Sequence, residues 1–318
     1  MLYGMIEGLG GRASRIVLGA GWFGPERMEA VSEILDAFLA AGGTAVDTAH
    51  IYGNGASERA LGKWLRESGR REDLVIITKG AHPDLSDWVP RVNPEAITQD
   101  LSESLERLGV ETIDLYLLHR DDAGVPVGSL VECLNEHVAA GRIRAFGGSN
   151  WTHQRIQEAN DYATTHGLQG FVASSPHLAL AVARNFRYPG VVLLSGDTAA
   201  LEWYRQSQFP LFSWSSQASG FFAGRSVGHY DAQDNRERLR RVQETAARLA
   251  CSPTQVALAW VLNQPQNTFP IIGPSTVPHL HECVEALDVQ LTNEELARLN
   301  LETENTHQDS QTETQKEA

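Results

Sequence analysis

VDTAHIYGNGASE, residues 46–58, passes from a buried-looking Val-Asp pair to a tyrosine and a Gly-Asn-Gly turn within a few residues. An apolar element ends here and a loop begins, and three polar or ionisable side chains, Asp47, His50 and Tyr52, sit at the change. The element is the candidate strand TAVDT (44–48). Seven similar apolar runs are spread along the chain: RIVLGAG (15–21), LVIIT (74–78), IDLYLL (113–118), IRAFGG (143–148), GFVASS (170–175), PLFSWS (210–215) and NTFPII (267–272). Such runs are expected of strands covered on both faces, as in a parallel sheet.

Helical patterns lie between them. Residues 26–41 carry Val31, Ile34, Leu35 and Phe38 on one stripe, and residues 94–108 carry Ile97, Leu101, Leu105 and Leu108. The second segment opens with Asn93-Pro94, a good start because proline's missing amide hydrogen is not needed in the first turn. Further helices are predicted over 126–140, 152–166, 237–250 and 253–264. VVLLSG (191–196) is a possible extra run inside one crossover. Repeated strand–helix units at 318 residues predict a (β/α)8 TIM barrel as one domain over 1–302. An open doubly wound sheet competes, but the only early glycine cluster, GLGG at 8–11, precedes the first convincing strand. The polar segment 303–318 has no apolar period and is expected to be a disordered tail.

Composition narrows the function. A net charge of −14 disfavours nonspecific binding to nucleic acid or anionic membranes. No apolar stretch is long enough for a membrane span and the first residues do not read as a signal peptide, so a cytoplasmic location is expected. Cys133, Cys251 and Cys283 match no zinc or redox spacing, and no metal site is predicted.

In a barrel of this kind the C-terminal strand ends share one catalytic face. Asp47, Lys79 and His119 end the second, third and fourth candidate strands, and Tyr52 follows in the second loop. Singly, each has an ordinary explanation: a solvated lysine, a capping aspartate, a loop-anchoring tyrosine, a hydrogen-bonded core histidine. Together they form a plausible proton-handling corner. A lysine ammonium beside a phenol favours the phenolate, and an aspartate can hold that lysine by a charge-assisted hydrogen bond. His119 is placed to orient a carbonyl oxygen.

VDTAHIYGNGASERALGKWL (46–65), VIITKG (75–80), LYLLHRDD (115–122), GGSNW (147–151) and IIGPST (271–276) together resemble, in order, the motifs of the aldo-keto reductase family over about residues 10–300. The resemblance implies a barrel oxidoreductase that uses NAD or NADP to interconvert a carbonyl and an alcohol. It implies Tyr52 as acid–base residue, Lys79 as its partner, Asp47 as the residue ordering Lys79, and His119 on the substrate oxygen. Ser149 and Asn150 resemble the pair that binds the nicotinamide amide, and Ser175 stands where Gln is common. Trp214 resembles the aromatic stacked on nicotinamide. Ser216, Ala218, Gly220 and Arg225 resemble the diphosphate loop. At the adenosine end the familiar NADPH pattern is only partly kept: Gly273 and Pro274 stand where many relatives carry Lys-Ser and Cys283 stands at the Asn position, while Ser275, His279 and Glu282 fall at or near matching positions, which leaves both cofactors open. Trp22, Trp88, Trp151, Arg120, Asp121 and Asp122 are candidates for the substrate mouth, and their charges favour a polyhydroxylated, sugar-like substrate. Two other classes stay open: a cofactor-assisted sugar isomerase or lyase, and a nicotinamide-sensing interaction protein. Oligomeric state is not legible.

Overall fold

The computed structural model describes residues 1–9, 12–186 and 188–302. Gly10 and Gly11 of the early glycine cluster, and the segment 303–318 expected to be a tail, lie outside the described residues. Eight parallel strands close into a barrel: β3 (Val17–Gly19), β4 (Ala45–Asp47), β5 (Val75–Gly80), β6 (Ile113–Leu118), β7 (Ile143–Ser149), β8 (Ser174–Ser175), β9 (Leu211–Ser213) and β10 (Thr268–Ile272), with β10 pairing back on β3. Each falls on one of the eight apolar runs, β5 and β7 extending one or two residues beyond theirs, so the (β/α)8 reading stands. A short antiparallel hairpin, β1 (Tyr3–Met5) with β2 (Arg12–Ser14), precedes the barrel and was not legible in the sequence.

Period-two alternation sorts the strand residues into two layers. Val17, Ala45, Ile77, Leu115, Leu117, Ala145, Phe212 and Phe269 fill the barrel, and Ile6 and Leu9 pack on this cluster from the N-terminal hairpin. Their neighbours Leu18, Val46, Ile76, Tyr116, Leu118 and Phe146 join the outer core beneath the helices. This alternation aims the site. Ala45 points inward, so Asp47 does too; Ile77 carries Lys79 with it, and Leu117 carries His119.

The helices are α1 (Met28–Ala40), α2 (Ala56–Ser68), α3 (Pro94–Leu108), α4 (Val127–Ala139), α5 (His153–His166), α6 (Thr198–Ser207), α7 (Gln233–Leu249), α8 (Pro253–Leu262), α9 (Val277–Glu285) and α10 (Asn293–Leu299). The expected start of α3 is present: the Asn93 side chain accepts from Ala96 N at 2.9 Å, with Pro94 in the first turn. α2, α6, α9 and α10 are additions to the sequence reading. Two expectations for apolar runs change. GFVASS forms ladder only at Ser174–Ser175, its last two residues, and Pro176, which offers no amide hydrogen, follows directly. VVLLSG is not a barrel strand. It lies in the long segment after β8, where Leu193 makes one isolated bridge to His177. Among the described residues no helix is long and apolar enough to cross a membrane.

α2 packs on α3 through Gly62, where an added Cβ would sit 2.3 Å from the Arg107 carbonyl oxygen and 2.7 Å from that of Leu108. Alanine is the better helix former by about 1 kcal/mol. Overpacking against backbone costs about 1–3 kcal/mol, so the clash wins. Gly62→Ala is expected to lower the melting temperature by a few degrees, and a thermal melt checks it; an unchanged or raised midpoint would contradict this packing.

Candidate active site

The loop after β4 is wound through Gly53, Asn54 and Gly55, all with positive φ (56°, 52° and 78°). Two glycines and an asparagine are the residues that take up this left-handed backbone at least cost. The turn starts α2 at once, and Thr48 and Ser57 share a 2.7 Å hydrogen bond that ties its two sides. Ser57 Oγ also donates to the Ala20 carbonyl at 2.7 Å. So anchored, the loop sends its side chains two ways. His50 turns outward, with Nε2 2.8 Å from Glu103 on α3. Asp47 and Tyr52 turn toward the barrel axis.

Lys79 Nζ donates to Asp47 Oδ1 at 2.7 Å and to the Thr48 carbonyl at 2.9 Å, and stands 3.5 Å from Tyr52 Oη. Lys79 is 2% exposed and Asp47 3%. Burial alone would lower the Lys79 pKa; attraction to Asp47 and to the Tyr52 oxygen outweighs it and holds the ammonium above its ordinary value. Burial pushes Asp47 up against the opposing pull of Lys79. The ring of His119 meets that of Tyr52 edge-on, centroids 5.7 Å apart. Burial, with Lys79 and Arg120 nearby, drives the His119 pKa well below the usual imidazole value, so the ring is neutral. Asp47 Oδ2 and His119 Nδ1 are buried without a protein partner among the described residues.

Two recesses meet at this corner. One, of about 820 Å³, is lined by Tyr52, Lys79, His119, Arg120, Trp88 and Trp214. The other, of about 680 Å³, runs past Asp47, Trp22 and Ser216 to Gly273, Ser275, His279 and Glu282. Tyr52 and Trp214 line both. Trp214 is fixed by its Nε1 donating to Asn150 Oδ1 at 3.2 Å, and Asn150 Nδ2 in turn donates to Ser149 Oγ at 3.1 Å.

The second recess has the donor set of a phosphate-bearing ligand. Its loop holds Ser215, Ala218, Ser219 and Gly220 at positive φ, the backbone that builds anion-binding concavities. Gly220 admits no side chain: an added Cβ would lie 2.6 Å from Arg225 Cδ, so the arginine stem folds over it. Ser275 and His279 stand at the N-terminus of α9, where free amides favour an anion. Glu282 lines the same end, with the Ser252 hydroxyl donating to it at 2.5 Å. A flat indole at one end and anion-holding groups at the other fit a nicotinamide dinucleotide.

Several expectations change. Trp151 does not line the mouth: it is 1% exposed, donates Nε1 to the Arg120 carbonyl at 3.0 Å and packs on Phe171 in the outer core, because β7 ends at Ser149 and Asn150, at φ 58°, breaks the alternation that would have turned residue 151 inward with Ala145. Asp121 is tied to Arg155 at 3.1 Å and Asp122 accepts from Gly124 N at 2.9 Å; neither lines the cavity. Trp22 lies along the second recess, not the first. Cys283 is buried behind that recess, accepting from Gln217 Nε2 at 3.3 Å. Ser175 and Ala218 are likewise wholly buried and line neither recess. His82, Phe186, Tyr188 and His229, which line the first recess, were not singled out in the sequence. The His82 ring stands 4.7 Å from that of His119, and its position two residues beyond Gly80 was the available signal.

The Aldo/keto reductase family profile matches residues 15–301. "Uncharacterized oxidoreductase YrpG" of Bacillus subtilis (strain 168) is 28% identical over 323 residues, covering 94% of this chain and 95% of the relative. "Aldo-keto reductase yakc [NADP(+)]" of Schizosaccharomyces pombe is 27% identical over 291 residues, 85% and 82% of the two chains. The crystal structure of a thermostable aldo-keto reductase, Tm1743, in complex with the inhibitor epalrestat superposes with a TM-score of 0.74 at 25% identity, covering 95% of this chain and 99% of the other.

His177, buried next to the site and 2.7 Å from Tyr230 Oη, has its pKa pushed down to about 4 from 6.5, chiefly by burial. The unfolded imidazole takes up a proton near 6.5 and the folded one does not, so stability is full above that pH and falls as pH drops toward 4. The loss is on the order of 3 kcal/mol. Denaturant melts at pH 7 and pH 4.5 should show a smaller difference for His177→Gln than for the unaltered chain; equal differences would contradict the assignment.

Proposed function

This chain belongs to the aldo/keto reductase family, a family of nicotinamide-dependent oxidoreductases, and from that premise we propose that it reduces an aldehyde or ketone to the alcohol with Tyr52 as the proton donor. The observation that carries this reading is the place of Tyr52: at the junction of the two recesses, 3.5 Å from a buried ammonium. Trp214, Ser216, Gly220, Arg225 and Ser275 along the second recess would hold a reduced nicotinamide dinucleotide, which when bound would supply the hydride for the carbonyl carbon of a substrate in the first.

The chain's own residues handle the oxygen. Tyr52 gives its Oη proton to the oxygen as negative charge develops there. Lys79, held positive by Asp47, stabilises the tyrosinate left behind. His119 is neutral, so it offers the oxygen a hydrogen bond without competing for the proton. Trp214, braced by Asn150, gives the nicotinamide a flat wall, and Ser216, Gly220, Arg225 and the start of α9 hold the phosphates. Ser275, His279 and Glu282 line the adenosine end, and either NAD or NADP is accommodated. In the reverse direction the tyrosinate accepts the alcohol proton as the alcohol carbon is oxidised.

The motive for a polyhydroxylated substrate is weakened, since Asp121 and Asp122 are engaged elsewhere. The first recess is walled instead by Trp88, Phe186, Tyr188 and Trp214. These rings favour a flat or apolar substrate body.

Tyr52→Phe is expected to lower NADPH- or NADH-coupled reduction of an aryl aldehyde by about 10²- to 10⁴-fold. Cofactor binding, read by tryptophan fluorescence, should persist, because the phenyl ring keeps the shape of the junction. Full turnover in the variant would remove Tyr52 from the proton step.

A further inference from the structure

The chain carries a charge of −14, yet among the described residues no Asp or Glu lines the first recess. The charged side chains that line it are the cations Lys79 and Arg120. Lys79 has Asp47. Among the described residues Arg120 has no such partner. It is 8% exposed, its Nη1 donates to the His119 carbonyl at 2.8 Å, and its Nε is buried without a partner among the described residues.

The two carboxylates beside it in sequence are both occupied, Asp121 with Arg155 and Asp122 with the Gly124 amide. The Arg120 stem lies under Gly190, whose added Cβ would be 3.4 Å from Cδ, so the loop that carries Tyr188 covers it. A guanidinium is a planar fork matched to a carboxylate, and burying one without an anion is costly. Burial lowers its pKa, yet an arginine stays charged throughout the working range. Arg120 lines the same recess as Tyr52 and His119 and is bonded to the His119 carbonyl.

We propose that Arg120 is the anion seat of the substrate: the carbonyl compound reduced at Tyr52 carries a carboxylate, joined to it by an aromatic or similarly flat spacer held between Trp88, Phe186 and Trp214. This rests on the carbonyl-reductase reading and specifies its substrate class. The bound carboxylate completes the ion pair that the protein itself leaves open. The substrate body fills the aromatic part of the recess, and the carbonyl end reaches Tyr52 and His119.

The test compares 4-carboxybenzaldehyde with its neutral methyl ester, methyl 4-formylbenzoate, using the full chain with NADPH and with NADH. The acid is expected to be preferred in kcat/KM by about tenfold or more, mostly through KM. In Arg120→Met the ratio of acid to ester should collapse toward one, and Arg120→Lys should restore part of it. Terephthalate should bind the unaltered chain, by tryptophan fluorescence, and bind Arg120→Met at least about tenfold more weakly. Equal use of acid and ester by the unaltered chain would overturn the anion seat while leaving the reductase reading intact, and needs no variant to fold. An equal fall for both substrates in Arg120→Met would also overturn it, assigning the arginine a purely structural role. Turnover of neither aldehyde with either cofactor would overturn the reductase reading and this inference with it.

Discussion

The buried ion pair between Lys79 and Asp47 is the constraint around which the site is arranged. Two opposite charges that are nearly inaccessible to solvent lie 2.7 Å apart at the C-terminal end of the barrel. Desolvating such a pair costs several kcal/mol per ion, and its attraction offsets this only with good geometry and further hydrogen bonds. The Thr48 carbonyl supplies one of those bonds, and Tyr52 stands just beyond it. A hydrophobic pair of similar volume would serve the barrel's stability at least as well. The pair's value therefore lies in chemistry: a fixed, largely desolvated positive charge beside a phenol.

The rest of the fold holds that corner still. Inward alternation on β4, β5 and β6 delivers Asp47, Lys79 and His119 to one face, and parallel pairing fixes their relative heights, with Asp47 level with Ile77 and Lys79 level with Leu117. The Gly-Asn-Gly turn lets the loop reverse quickly enough that Tyr52 points back over Lys79. His50 helps by turning away: its bond to Glu103 fastens the loop to α3. Trp214 and Asn150 then brace the wall shared by both recesses.

The barrel and the four-residue corner were legible because both depend on local periodicity. A strand's period of two sends Asp47, Lys79 and His119 the same way as the apolar residues two places before them, and that can be read without coordinates. The mouth obeys no such rule. Trp151 was read as mouth-lining but is turned to the outer core where the left-handed Asn150, at φ 58°, breaks the β7 alternation, and Asp121 was claimed by Arg155 from α5, a contact between segments far apart in the chain. Phe186 and Tyr188 come from the long segment after β8, where no period marks which rings face the cavity. Cys283 was placed by analogy of position; its helix turns the thiol toward Gln217.

The most direct measurement is the steady-state turnover and thermal melt of the double variant Asp47→Asn with Lys79→Met, set against the unaltered chain. Removing both charges leaves no uncompensated ion in the core, so the melting temperature should stay within a few degrees. Carbonyl reduction should fall by about 10²-fold or more, because the phenol loses the charge that stabilises its anion. A double variant that melts normally and reduces carbonyls at the original rate would contradict the account, and the buried pair would then be only a structural element of the barrel.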